Sequence, residues 1–450
     1  MKQLLALFLL TNALCFSQQE NFKQLDSFFK DLSDNNKMMG TIVVSKNGQV
    51  VYDKSIGYAS VSDGKKITKA SKFRIASITK TYTATMVYQL VDEGKLKLAD
   101  KLSNYFPQIP NAENISITNL LTHSSGLFNI TGDPDFHSWI LKKSSREDML
   151  TRMQKHPSVF EPNEKNEYSN TNFILLGYII ENIDKTSYGE ALQKRIANKI
   201  DLKDTYLGRN IDATHNECHS YYYYYYYYYK KDSLSIANET DMSNPMGAGG
   251  IVSSPYDLVR FYEALFNGEL MSPESFSKMI TIKKFPFGSG IFKGEMYGQV
   301  AYGHEGGIDG FITKVTHIPE EKTTIVVLTN ALNYPMDNIA SNGFLASQNK
   351  DLLKPIKNAK SIELTEKQMQ LFAGEYEGST GDDKFSFTFV AEGNVLKGGP
   401  NPNALFKFKA IKKNEFVHDK FGVHLKFNLE ENTLVFSQAG TNPKTLIKKQ

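Results

Sequence analysis

The sequence predicts an α/β protein of the α+β kind. An antiparallel sheet is flanked by helices and interrupted by a helical insertion, and a small all-β domain follows it. Three observations carry this. β-rich runs occur at residues 41–52 and again at 311–328. Between them, residues 100–285 read mostly as helices and loops. Beyond residue 364 the pattern turns to short, alternating apolar runs. Strands at both ends with helices between are most simply joined as one antiparallel sheet. The chain has 450 residues, with 40% hydrophobic and 22% charged side chains. That is ordinary globular composition and argues against a disordered or coiled-coil protein.

Residues 1–17 read as a secretory signal peptide. Lys2 supplies the positive start, Leu4–Leu10 the apolar stretch, and Ser17 a small residue ahead of polar Gln18-Gln19-Glu20. The competing reading is a buried N-terminal helix. A lipid anchor on Cys15 is disfavoured by bulky Leu14. No later run approaches the ~18 apolar residues of a membrane-spanning helix. The expected location is outside the cytoplasm, periplasmic or secreted. Phe22, Leu25, Phe28, Phe29 and Leu32 then repeat at helical spacing.

Thr41–Ser45 and Gln49–Tyr52 form an expected hairpin, with Asn47-Gly48 suited to a turn of positive φ. Residues 77–93 are a helical pattern with Met86, Val87, Leu90 and Val91 on one face, the methyl of Thr83 extending it, and Gly94 placed to end it. Ser254-Pro255 opens another helix. Phe311–Val315 and Thr324–Leu328 read as a second hairpin, followed by a helix near 332–348. The expected organisation is a domain over 18–350, a linker over 351–364 and a β-rich domain over 365–450. The latter holds strands at Phe385–Val390, Phe406–Ile411, His424–Leu429 and Thr433–Gln438.

Charge and cysteine content exclude several functions. Lys+Arg is 52 and Asp+Glu 49, a net charge of +3, too balanced for a nucleic-acid-binding face. Only Cys218 remains outside the leader, so neither an internal disulfide nor a cysteine zinc cage can form. His215 and His219 lie four apart, but nothing supplies a third metal ligand. Tyr221–Tyr229 is an unbroken run of tyrosines. Its β-propensity makes it an aggregation hazard if exposed. An aromatic binding wall, a repeat expansion and a sequence error are all open readings of it.

The chemistry lies elsewhere. Ser77-Ile-Thr-Lys80 places a serine and a lysine on one helix face at a helix start. A serine needs a base in hydrogen-bond reach, and a lysine can be that base if burial lowers its pKa. The bland reading is a capping serine and a solvated lysine. Tyr168-Ser-Asn170 offers a second acid/base and a polar anchor. Its bland reading is a core aromatic and a helix cap. Gly303-His-Glu-Gly306-Gly307 offers a strand edge whose N–H groups can approach a substrate. Its bland reading is a turn.

Taken together, these segments resemble the serine β-lactamase and penicillin-binding-protein-like hydrolases, of the class C β-lactamase, DD-peptidase and esterase type. Phe73-Arg-Ile-Ala-Ser77-Ile-Thr-Lys80 looks like the family's nucleophile motif, and Tyr168-Ser-Asn170 like its Tyr-x-Asn motif. His304-Glu-Gly306 stands where many members have Lys-Thr-Gly. Leu120–Leu127 and Gly247–Ile251 also match, and all five stretches occur in family order over residues 20–350. The resemblance implies that Ser77 is acylated and that Lys80 and Tyr168 share proton transfer. It implies that Asn170 holds the substrate, that the N–H groups of Ser77 and Gly307 form the oxyanion hole, and that His304 and Gly306 line the site. No metal and no cofactor are implied. His123 and Ser125 read as supports for a loop near the site.

The expected activity is a metal-free serine hydrolase acting on a small ester or amide, of the esterase or D-amino-acid peptidase type. The partner is then a small molecule or short peptide, with no nucleic acid and no membrane span. His304 in place of lysine argues against a true β-lactamase. That activity, and a non-catalytic protein that binds cell-wall peptides, are the alternative readings.

Overall fold

The computed structural model describes residues 20–226, 231–282, 287–353, 361–380, 383–402 and 405–449. The expected leader, residues 354–360 of the expected linker and Tyr227–Tyr229 of the tyrosine run lie outside them. The chain forms two compact units. One is Phe29–Gly294 with Val300–Leu332; the other is Met1–Phe28 with Glu295–Gln299 and Asn333–Gln450.

Helix α1 (20–34) buries Leu25, Phe28, Phe29 and Leu32, the apolar repeat of its sequence. Strands β1 (Met38–Lys46) and β2 (Gln49–Ile56) form the expected hairpin, with Asn47 and Gly48 at φ +53° and +75°. Helices α2 (Thr79–Asp92), α3 (Asn170–Asp184) and α4 (Pro255–Phe266) follow. Strands β3 (Phe292–Met296), β4 (Gln299–Ile308), β5 (Phe311–Ile318) and β6 (Thr323–Leu332) complete an antiparallel sheet of order β3-β4-β5-β6-β1-β2. The two ends of the domain therefore meet at the β1–β6 pairing, where Val43 faces Val326. Both strands are buried on both faces, as strands covered on each side are. Helix α5 (Met336–Ser347) falls within the expected 332–348 span.

Helix α2 differs from its predicted one-sided pattern. It is buried all round from Thr79 to Leu90. Its threonines make this possible because each hydroxyl finds a backbone partner, an N–H for Thr79 and carbonyls for Thr81, Thr83 and Thr85. Thr81 donates to Gly290 O at 2.8 Å and Thr83 to Gly247 O at 2.7 Å. Thr83 thus acts through its hydroxyl as well as its methyl.

The C-terminal region is a closed barrel of eight antiparallel strands. They are β7 (Gly374–Thr380), β8 (Asp383–Glu392), β9 (Val395–Gly399), β10 (Phe406–Lys412), β11 (Glu415–His418), β12 (Val423–Asn428), β13 (Thr433–Gln438) and β14 (Lys444–Lys448). The four predicted strands are β8, β10, β12 and β13. Pairing of β7 with β14 closes the ring. Tyr376, Phe389, Phe416, Phe427 and Leu446 fill the interior, as a barrel of about eight strands allows.

Candidate active site

Ser77 sits on a bend. The two-residue strand Phe73–Arg74 pairs with Ile251–Ser253, and the Ile75 N–H donates to Ile251 O at 2.9 Å. Ala76 then turns to φ +49° and Ala76–Ile78 forms a 3-10 turn before α2 begins at Thr79. The predicted helix start at residue 77 is thus two residues early, because the strand pairing holds the backbone just before Ser77. Thr79 Oγ1 accepts from the Ile251 N–H at 3.1 Å and fixes the far side of the bend.

Lys80, one turn on, is fully buried. Its Nζ lies 2.6 Å from Ala248 O, 2.8 Å from Asn170 Oδ1 and 3.0 Å from Ser77 Oγ. Burial pushes its pKa well below the ordinary lysine value. A neutral amine has two N–H donors and one lone pair. Ala248 O and Asn170 Oδ1 can only accept, so they take both donors. The lone pair is left for the Ser77 hydroxyl.

Asn170 is held for this task. Its backbone N–H and its Nδ2 both donate to Asn129 Oδ1, at 3.0 and 3.3 Å. That turns Oδ1 towards Lys80. Ala248 O is brought in because the short helix Met246–Gly249 packs closely on α3. A Cβ on Gly247 would lie 2.6 Å from Phe173 O, so the approach requires glycine.

Tyr168 lies over Lys80, with Nζ 4.8 Å from its ring centre. Burial raises its phenol pKa, and a hydrogen bond with Ser77 partly opposes that. The phenol is therefore protonated at neutral pH. His123 grips the segment on both sides of it. Its Nδ1 accepts from the Ser169 N–H at 3.2 Å and its carbonyl from the Glu167 N–H at 2.8 Å. The two rings lie 4.4 Å apart. Burial lowers the pKa of His123, with Lys80 and His304 adding to the effect, so it stays neutral. Ser125 donates to Asn172 Oδ1 at 2.7 Å, one turn into α3. His123 and Ser125 are thus in supporting positions.

Strand β4 supplies the opposite wall. Its ten residues exceed the five of β3, so the hairpin leaves the His304–Ile308 end as an open edge. That edge presses on the bend. A Cβ on Gly306 would lie 2.4 Å from Ile75 O and 2.9 Å from Ala76 Cβ. Thr313 of β5 donates to Ile75 O at 3.0 Å and holds the contact. Gly307 is the next residue and lines the same cavity as Ser77.

The remaining supports, Asn129 and Arg74, carry no local signal in the sequence. Asn129 belongs to no motif. Arg74 lies in the Ser77 segment, but its partner is 235 residues away. The Arg74 side chain is 1% exposed and its Nη1 is 2.7 Å from Asp309 Oδ2. Asp309 also accepts from the N–H and hydroxyl of Thr240. Arg74 precedes Ser77 by three residues and Asp309 follows Gly307 by two, so this buried pair ties the two walls together.

A family model described as Beta-lactamase matches residues 25–350. The chain belongs to the beta-lactamase family. It is a serine hydrolase of that family. Penicillin-binding protein 4* of Bacillus subtilis is 26% identical over 337 residues, which is 70% of this chain and 72% of that one. A D-amino acid amidase from Ochrobactrum anthropi has the same fold, with TM-score 0.62 at 23% identity over 72% of this chain and 99% of its own. An octameric penicillin-binding protein homologue from Pyrococcus abyssi has TM-score 0.65 at 23% identity over 94% and 99%.

In this beta-lactamase-family chain His304 is buried, and burial with the nearby Lys80 lowers its pKa to about 3. Its Nδ1–H donates to Glu305 O, which leaves Nε2 without a proton. Glu305 points to the other face and pairs with Lys314, so it does not charge the imidazole. Ser77, Asn170, Ala248 and Gly307 open on a cavity of about 490 Å³.

The other singled-out residues lie apart from this cavity or at its rim. His215 pairs with Asp212, and His219 is 4.0 Å from Glu239. Only His215 is in a helical turn, the 3-10 segment Ala213–His215, so the two histidines do not share a helix face. No group of three or more candidate metal ligands occurs among the described residues. Cys218 is buried, which pushes its thiol up to about 12. Tyr221–Tyr226 is a strand paired with Lys231–Ile236, and Tyr222 reaches the cavity. No helix among the described residues is long and apolar enough to cross a membrane.

Proposed function

We propose that Ser77 is acylated by a small ester or amide substrate, with Lys80 as general base. The observation that carries this is the Lys80 amine, buried and with both donors occupied, 3.0 Å from Ser77 Oγ. Ser77 Oγ attacks the substrate carbonyl and its proton passes to Nζ. The N–H groups of Ser77 and Gly307 hold the developing oxyanion. Tyr168 hands its phenolic proton to the departing oxygen or nitrogen and regains one from Lys80. Asn170 orients Lys80 on one side and meets the substrate on the other. Water then takes the leaving group's place and the same groups run in reverse.

The substrate class follows from His304. A neutral imidazole gives an anionic substrate no constant positive charge, unlike an exposed ammonium. Esters and D-amino-acid amides, which carry no carboxylate, should therefore be turned over faster than penicillins and cephalosporins. The signal-peptide pattern read in residues 1–17 supports export. The test is one panel on one preparation: acetyl and butyryl esters, D-amino-acid amides, and nitrocefin. A nitrocefin kcat/KM above every ester and amide would overturn this reading and restore a β-lactamase.

A further inference from the structure

We propose that the cleft at the C-terminal end of α2 binds a small sugar that carries an anionic group, a phosphate or a carboxylate. The cleft has a volume of about 600 Å³, within the roughly 300–1,000 Å³ of ligand pockets. It shares no lining residue with the cavity at Ser77. Its wall includes Gln89, about two and a half turns along α2 from Lys80. The site therefore does not depend on Ser77 being acylated.

Gln89 supplies an acceptor. It is only 7% exposed. Its Nε2 donates to Arg195 O at 3.1 Å and to Leu270 O at 2.9 Å. Both carbonyls can only accept, so the amide is fixed in this orientation, and Oε1 has no partner among the described residues. Native structures rarely leave a buried acceptor unmet. A ligand hydroxyl seated in the cleft would donate to it. The carbonyl of Arg195 comes from Gln193–Ala197, a π-turn in which the Asn198 N–H donates to Gln193 O at 2.9 Å. Turns of this kind are found frequently at functional sites.

Lys194 and Lys199 supply the charge. Both are exposed, both line the cleft, and neither has an ion-pair or hydrogen-bond partner among the described residues. Residues five apart diverge on an α-helix, whereas the wider π-turn, bonded from i to i+5, lets both lysines reach one cleft. The other charges of the lining are met within the protein. Arg195 donates to Asp184 and, at 2.8 and 3.1 Å, to Glu93, which also pairs with Lys95. Glu269 pairs with Arg260. Asp92 accepts from the Ser272 N–H and from the Ser272 and Ser275 hydroxyls. Those donors are neutral, so Asp92 keeps its charge. Two free ammonium groups against that one carboxylate leave the cleft net positive, which suits an anion. Gln89 asks for a donor on the same ligand, and the hydroxyls of a sugar provide it.

The test is titration calorimetry on the full chain in low-salt buffer, where screening is weak. The probes are glucose 6-phosphate, glucuronate, glucose and sulfate, the last being an anion with no hydroxyl to donate. Glucose 6-phosphate or glucuronate should bind at one site, and the tighter of the two names the anionic group. Glucose and sulfate should bind at least about tenfold more weakly than that ligand. Lys194→Gln/Lys199→Gln should raise its Kd at least about tenfold with no change in Tm, because both side chains are exposed. Gln89→Leu should weaken it as well. That variant also strips Arg195 O and Leu270 O of their donor, so its melt is recorded, and if it does not fold the lysine pair decides alone. Three results would each overturn the site. Neither sugar anion binds, glucose or sulfate binds as tightly as they do, or the folded double lysine variant binds like the wild type.

Discussion

Adjacent glycines on β4 should respond very differently to the same added methyl. At Gly306 a Cβ would meet Ile75 O at 2.4 Å and Thr313 Oγ1 at 2.5 Å. The first is backbone on the bend that carries Ser77, and the second hydrogen-bonds to that same oxygen. Neither can swing away. Restoring ordinary contact near 3.4 Å needs β4 and the bend to part by about 1 Å. That movement widens the gap between the N–H groups of Ser77 and Gly307. A misplacement of about 1 Å can cost roughly a hundredfold in rate. Overpacking of this kind also costs about 1–3 kcal/mol in stability. At Gly307 a Cβ would meet only Ile312 Cδ1, at 3.7 Å. Gly306→Ala should therefore lose about two orders of magnitude in ester kcat/KM and several degrees in Tm, whereas Gly307→Ala should stay within a few-fold and keep its Tm. Steady-state ester kinetics and thermal melts of both variants decide the matter. Equal activity in the two variants would refute the close approach of β4 to the Ser77 bend.

Three further outcomes follow from the supports of the site. Asn129→Leu should release the Asn170 amide and lower kcat about tenfold or more with little change in KM, measured on the same esters. The lowered pKa of Lys80 means that the free amine, the form able to take the Ser77 proton, appears well below pH 10.5. Ester kcat/KM should rise with pH along a limb well below that value, and Lys80→Arg, whose side chain keeps its proton, should lose both the limb and the activity. Arg74→Met leaves buried Asp309 unpaired and should cost about 3–5 kcal/mol in denaturant unfolding, with Arg74→Met/Asp309→Asn recovering part of it.

The parts legible in the sequence are those written in short-range patterns. Ser77 and Lys80 are three residues apart, and their closeness follows from helix geometry alone. The β1–β2 hairpin is announced by Asn47-Gly48, and α4 by Ser254-Pro255. What escaped was set by distant partners. Arg74 and Asp309 are 235 residues apart, and nothing local tells either that the other is near. Asn129 acts through Asn170, 41 residues on, and has no pattern of its own. Ala248 contributes only a carbonyl, which no side chain signals. The burial of α2 on every face was hidden because threonine reads as polar until its hydroxyl has an acceptor. In the barrel, β7, β9, β11 and β14 are short or rich in glycine and charge. Closure of the ring, which local propensity does not encode, makes them strands.

The most direct test of the Ser77 assignment is the site and pH dependence of covalent labelling. The full chain is treated with a fluorophosphonate, and the adduct is mapped by peptide mass spectrometry across a pH series. The account predicts a single adduct on Ser77, a labelling rate that climbs as Lys80 loses its proton, and no adduct in Ser77→Ala. An adduct on another residue, or labelling of Ser77→Ala at the wild-type rate, would contradict it.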